Sequence, residues 1–167
     1  MLSIILGGNM SSRMFINIRE KLGLCYFINS NLSTYQDTGI FMIRAGLDKS
    51  RIKQAIKVIL DELEMIKRQG VNKDELKNAK TFLKGKISLD LEDSESQASW
   101  YAKQKLLSDE LKTPKQKLQD YYKVSNKDIQ RVANQILNFN KCNLVLIGPF
   151  DKKHKKQFLK IINYYAK

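Results

Sequence analysis

At Gly23 the apolar period of this chain changes, and that change limits what it can fold into. Before it, "SSRMFINIREKL" sets Phe15, Ile18 and Leu22 at three- and four-residue steps, the spacing of a helix with one buried face. After it, "CYFINSNLSTY" and "GIFMIRAGL" alternate apolar and polar residues, a pattern that suits a half-buried strand and not a helix. A glycine just past a last helical turn can take the left-handed conformation that closes the helix, so Gly23 is the expected corner. Ser11 or Ser12 is the expected N-cap of the helix before it. Between the alternating runs, "QDTG" holds Asp37 and Gly39, which favour a tight turn. Cys25 to Tyr35 and Gly39 to Leu47 are therefore predicted to pair as an antiparallel hairpin.

Helices dominate the remainder. Asp48 is placed to cap a long amphipathic helix in which Ile52, Ile56, Ile59, Leu63 and Ile66 recur until Gly70. Asn72 and Glu75 have capping-box spacing at the start of a helix carrying Leu76, Ala79, Leu83 and Ile87. Trp100, Gln104, Leu107 and Leu111 fall at helical spacing beyond the acidic "DLEDSESQ", which is either a junction between two helices or a polar turn of one bent helix. Thr113-Pro114, and Ser125 with Asp128, open two shorter helices, and Asp151 opens a last one with Phe158, Ile161, Ile162 and Tyr165 on one face. "CNLVLIGP", Cys142 to Pro149, is predicted to be a short buried strand stopped by Gly-Pro. Helix, two strands, several helices, strand, helix is an α+β order, with an antiparallel sheet packed against helices. Residues 1–167 fit one domain. Three strands under so many helices leave sheet edges open, and "MLSIILGG" reads as the end of a helix, so a fragment lacking its first strand and helix is expected.

Thirty basic against seventeen acidic side chains give a net charge of +13, which would suit a nucleic-acid partner if the lysines formed one stripe. They are scattered over every predicted helix, with one local run at "DKKHKKQ", and no nucleic-acid-binding motif accompanies them, so no nucleic-acid partner is expected. Cys25 and Cys142 lie far apart in apolar runs and are expected to be buried free thiols in a cytoplasmic or other reducing compartment. The N-terminal apolar stretch lacks a basic region before it and a small-residue cleavage site after it, so it reads as neither targeting signal nor membrane span.

"ILGGNMSSRMFINIREKLGLCY", the hairpin after it, "NKDELKNAKTFLKGKISLDLE" and "VSNKDIQRVANQILNFNKCNLVLIGP" occur in an order that resembles the second half of an insulinase/pitrilysin-type zinc peptidase, a group that includes the mitochondrial processing peptidase. The resemblance implies two homologous α+β halves closing around an extended peptide or unfolded polypeptide. The first half carries the zinc ligands and the second carries none. Zinc is thus expected in a partner half, in the same longer chain or in another subunit, with no cofactor in this chain and no activity of this chain alone. His154 is the single histidine and stands in a lysine run, which opposes a cation, so it is read as a solvated helix-start residue.

The resemblance also carries over an arginine and a tyrosine seven residues apart, matched here by Arg19 and Tyr26. It implies that Tyr26 donates a hydrogen bond to the scissile carbonyl as negative charge develops there, and that Arg19 binds a neighbouring substrate carbonyl. Taken without it, the two residues are unremarked: an arginine near a helix C-terminus suits the macrodipole, and a tyrosine on a hairpin is ordinary strand composition. Gly7 and Gly8 are expected to mark close packing or only a helix end. The alternative to an enzyme half is a catalytically inactive peptidase-like module that scaffolds an assembly. Either would expose apolar surface that a partner covers, so self-association or dependence on a partner is expected.

Overall fold

Gly23 adopts φ +56°, and the backbone closes around it: its amide donates to the Arg19 carbonyl at 3.0 Å and the Leu24 amide to the Ile18 carbonyl at 3.0 Å. The structure is a computed structural model that describes residues 1–108 and 110–166. Ahead of this corner, a short helix α1 (Leu2–Gly7) leads through a turn at Asn9 into a helical segment whose Phe15–Lys21 portion is π-wound. The expected serine N-cap does not form. Ser12 is buried and its hydroxyl donates to the Asn9 carbonyl at 2.6 Å, so the oxygen is engaged in the turn instead of accepting a helix amide.

Beyond the corner, β1 (Cys25–Thr34) and β2 (Gly39–Leu47) pair antiparallel. Cross-strand partners share a face, so Ile28 with Ala45 and Ser30 with Ile43 turn toward the core, while Asn29 with Arg44 and Asn31 with Met42 form the other face. On that outer face Phe27 lies over Gly46, where a Cβ would come within 2.6 Å of the ring. On the inner face α1 meets β1 closely enough that a Cβ on Gly7 would stand 2.6 Å from the Ser30 amide nitrogen. Two hydrogen bonds fix that approach: Ser3 Oγ donates to the Ser30 carbonyl at 2.9 Å, and Ser30 Oγ to the Ser3 carbonyl at 2.6 Å.

A turn at Lys49–Arg51, capped by Asp48 through the Ser50 amide at 2.7 Å, opens α2 (Ile52–Gln69), which Gly70 ends at φ +69°. α3 (Lys73–Asp90) starts at the Asn72–Glu75 capping box. The acidic stretch proves to be a junction: Asp93 caps a separate α4 (Ser94–Leu107) by accepting from the Ser96 amide at 2.8 Å. α5 (Pro114–Lys123), α6 (Asn126–Ile136) and α7 (Lys152–Tyr165) each begin at a capping box, set by Thr113, Ser125 and Asp151. α2 packs against α6, α7 and the π-wound segment, and Leu6, Met14, Ile18, Leu24 and Ile66 are fully enclosed where these elements meet. The result is an α+β fold with an antiparallel hairpin on a helical layer.

The predicted third strand is not formed among the described residues. From Cys142 to Pro149 the backbone joins no ladder; Val145 and Ile147 are 81% and 97% exposed, while Leu146 packs against the core. An apolar run becomes a buried strand only when neighbouring strands take up its amides and carbonyls, and the described sheet has two strands, neither paired with this run. α4 likewise contains no buried residue. Trp100 is half-buried through a hydrogen bond from Nε1 to the Lys112 carbonyl at 3.1 Å, but Leu107 and Leu111 are exposed. Among the described residues no helix is long and apolar enough to cross a membrane.

Candidate functional site

Arg19 and Tyr26 stand on opposite sides of the Gly23 corner, and each occupies a backbone irregularity. Arg19 lies in the π-wound turn of Phe15–Lys21. Its guanidinium carbon sits 4.5 Å from the centroid of the Phe15 ring, four residues earlier, which supports the charged head from below. Its nearest acid is Glu20, at a loose 3.7 Å with both side chains in solvent, too weak a pair to neutralise it. Tyr26 is the extra residue of a β-bulge: Cys25 faces Leu47 and Phe27 faces Gly46, and nothing on β2 stands opposite the residue between. The bulge takes Tyr26 out of the regular alternation, and its side chain is 76% exposed. An extra residue in a helical turn and an extra residue in a strand both recur at functional sites, because each re-aims a side chain that regular geometry would send elsewhere.

No hydrogen bond joins the two side chains among the described residues. Next to Tyr26, burial pushes the Cys25 thiol up, while the Arg19 charge beside it pulls it down. The corner is also braced from the turn that opens α2, since Arg51 donates from Nη2 to the Gly23 carbonyl. Arg19 offers guanidinium donors and Tyr26 a phenol donor, on a rigid turn and at the end of a strand. Such donors match carbonyl oxygens of an extended chain.

Asn17 and Glu62 are not marked by motif or resemblance, yet they join the π-wound segment to α2. Glu62 is 6% exposed and accepts from Asn17 Nδ2 at 2.7 Å. Its position was visible in the sequence as an acid three residues after Ile59 and four before Ile66, inside the apolar stripe of α2. A concavity of about 240 Å³ lies elsewhere, among Ile87, Leu91, Trp100, Tyr101, Pro114 and Leu118, and includes neither Arg19 nor Tyr26. Both cysteines are free thiols, but neither is buried as expected: Cys25 is half-buried, and Cys142 is exposed because the strand that would have enclosed it is not formed among the described residues.

The fold is an α+β domain whose glycine corner carries an exposed phenol and a part-exposed guanidinium. The peptidase M16 inactive domain family matches residues 1–83. The uncharacterized zinc protease YmxG of Bacillus subtilis (strain 168) is 34% identical over 148 residues, covering 89% of this chain and 36% of its own length. Among solved structures, a conserved protein from Enterococcus faecalis V583 superposes with TM-score 0.74 at 26% identity, over 80% of this chain and 31% of that one. A protease from Helicobacter pylori does so with TM-score 0.70 at 27% identity, over 80% and 32%. The chain belongs to the peptidase M16 family, the insulinase/pitrilysin-type zinc peptidases, and carries its inactive C-terminal type of domain. It spans about a third of the length of the curated relatives it matches.

The name of those relatives implies zinc, and the residues here do not fit it. A zinc site needs three or four ligands converging on one point. His154 is engaged in the capping box of α7, its Nδ1 2.6 Å from Asp151 Oδ1. Among the described residues no group of three or more His, Cys, Asp or Glu is gathered to hold a metal.

Proposed function

We propose that this chain is the peptide-holding half of a zinc endopeptidase that cleaves extended peptides or unfolded polypeptides, completed by a zinc-binding half in the same longer chain or a partner subunit. The reading is supported above all by the paired irregularities at Arg19 and Tyr26, which turn two donors outward across one rigid corner. In this reading the Arg19 guanidinium holds a backbone carbonyl of the bound peptide in the ground state. The Tyr26 hydroxyl donates to the scissile carbonyl oxygen, and that bond strengthens as the oxygen gains negative charge. The outer sheet face, where Asn29, Asn31 and Arg44 stand beside the exposed Phe27 and Met42, lies alongside as a mixed polar and apolar surface for the flanking peptide.

The test uses this chain assembled with its zinc-binding half and fluorescein-labelled β-casein as an unfolded substrate. Tyr26→Phe is expected to lower turnover by about 3 kcal/mol of transition-state stabilisation, with little change in casein affinity. Arg19→Ala is expected to weaken both, because it removes a contact made before the chemistry begins. Asn31→Ala, on the same hairpin, serves as control. Full turnover in Tyr26→Phe would leave the non-catalytic scaffold as the better reading.

A further inference from the structure

The π-wound turn does not stand alone. Asn17 and Lys21 lie on its side toward α2, joined by a hydrogen bond from Lys21 Nζ to Asn17 Oδ1 at 3.0 Å. From there Asn17 Nδ2 donates to Glu62 Oε1 at 2.7 Å. Phe15 and Arg19 form the other side, with the guanidinium stacked over the ring. Glu62 is an acid enclosed by α2's apolar stripe, and its second oxygen, Oε2, is buried with no hydrogen-bond partner among the described residues. Glutamate is seldom enclosed unless it is paired, and leaving a buried oxygen unsatisfied is destabilising. A Leu or Met at this position would pack the same interface without that penalty. What the carboxylate provides, and a hydrocarbon would not, is a fixed acceptor for Asn17 in the middle of the π-turn.

We infer that Glu62 is a positioning residue: through Asn17 it holds the rotational setting of the Phe15–Lys21 turn, and so sets the direction in which Arg19 meets a bound peptide. A turn wound with an extra residue is less stable than an α-helical one and persists where tertiary contacts hold it. With the Asn17 anchor removed, the segment can rewind or rotate, and the side opposite Asn17, which is Arg19's, turns with it. The bracing of Gly23 by Arg51 fixes the far end of the same segment, so rotation at Asn17 is taken up at Arg19 and not passed on to β1. The inference rests on the role proposed above for Arg19.

The experiment is a double-mutant cycle in the protein assembled with its zinc-binding half, read as casein affinity, with melting temperature and amide exchange over residues 15–22 measured alongside. Arg19→Ala is expected to weaken binding about tenfold, the worth of one charge-assisted hydrogen bond. Glu62→Leu is expected to weaken it to a similar extent, to speed exchange across the turn, and to leave the melting temperature unchanged or higher. The double variant should bind no worse than Arg19→Ala alone, because Glu62 acts through Arg19. Glu62→Gln keeps an acceptor for Asn17 and should restore wild-type binding. If Glu62→Leu does not fold, Asn17→Leu removes the donor from the half-buried side and is judged by the same criteria. Wild-type binding in the variant that breaks this contact, or a loss that adds in full to that of Arg19→Ala, overturns the inference and leaves the Arg19 reading intact. An Arg19→Ala variant that binds casein normally overturns both.

Discussion

Arg13 grips Glu75 through two guanidinium nitrogens, and the same carboxylate closes the capping box of α3. Nη2 donates to Oε2 at 2.8 Å and Nε to Oε1, while Oε2 also accepts from the Asn72 amide at 2.8 Å. Arg13 Nη2 further donates to the Gly70 carbonyl at 3.0 Å, so one side chain ties the entry of the π-wound segment to the α2–α3 corner.

Arg13→Ala should therefore cost about 2 kcal/mol, less than the roughly 3–5 kcal/mol of a fully buried pair because solvent reaches both partners. The pH dependence has a definite sign. Burial pushes the Glu75 carboxyl up, but the hydrogen bonds from Arg13 and the Asn72 amide, with the Arg13 charge, outweigh it and hold the group below its ordinary value of 4.5. A depressed carboxyl stabilises the fold above that value and loses its contribution as pH falls through the lower, folded value. Urea melts of wild type and Glu75→Gln should differ near neutral pH and converge well below pH 4.5. A gap that stays constant into acid would mean the charge of Glu75 contributes nothing.

Two glycines should respond to alanine in opposite directions. Gly7 faces the Ser30 backbone, where an added Cβ would stand 2.6 Å from the amide nitrogen and wedge α1 from β1. Gly7→Ala is expected to destabilise by about 1–3 kcal/mol. Gly85 is exposed within α3 with nothing within 4 Å of an added Cβ, so Gly85→Ala should stabilise by about 0.5–1 kcal/mol through helix propensity alone. Thermal melts of the two variants decide both signs.

What could be read from the sequence was what is settled within a few residues. The boxes at Asn72, Thr113, Ser125 and Asp151 are local hydrogen bonds, and the sequence shows both partners. Gly23 announces its left-handed corner in the same way. The π-winding does not, because its anchor is Glu62, forty-five residues from Asn17. Nor does the bulge at Tyr26, which depends on how β2 pairs with β1. Cys142 to Pro149 failed as a strand for a related reason: its composition states a preference, and a ladder needs a partner. Arg19 and Tyr26 were found through family resemblance, and the irregularities that distinguish them appear only in three dimensions.

The isolated chain should retain no stoichiometric zinc through gel filtration and cleave no labelled casein. The expectation rests on the donor set, with His154 committed to Asp151 and no second histidine in the sequence. Metal analysis of protein prepared without chelator tests it. Retained zinc, or metal-dependent cleavage by this chain alone, would contradict it.

By itself, the chain should also associate with copies of itself, in a salt-dependent way. Leu106, Leu107 and Leu111 stand exposed at the end of α4 and beyond it, and Val145 and Ile147 along the unpaired 142–149 segment. The backbone amides and carbonyls of that segment join no ladder among the described residues, so a second extended segment can pair with it. A net charge of +13 opposes contact between copies, and its reach falls from about 30 Å at 0.01 M salt to about 8 Å near 0.15 M. Light scattering should therefore show monomer at low salt and larger species at moderate salt. Ile147→Lys, which adds charge to the most exposed apolar side chain of the segment, should shift the balance back to monomer at moderate salt. A wild-type chain that stays monomeric under both conditions would mean that these apolar residues are too dispersed to drive association.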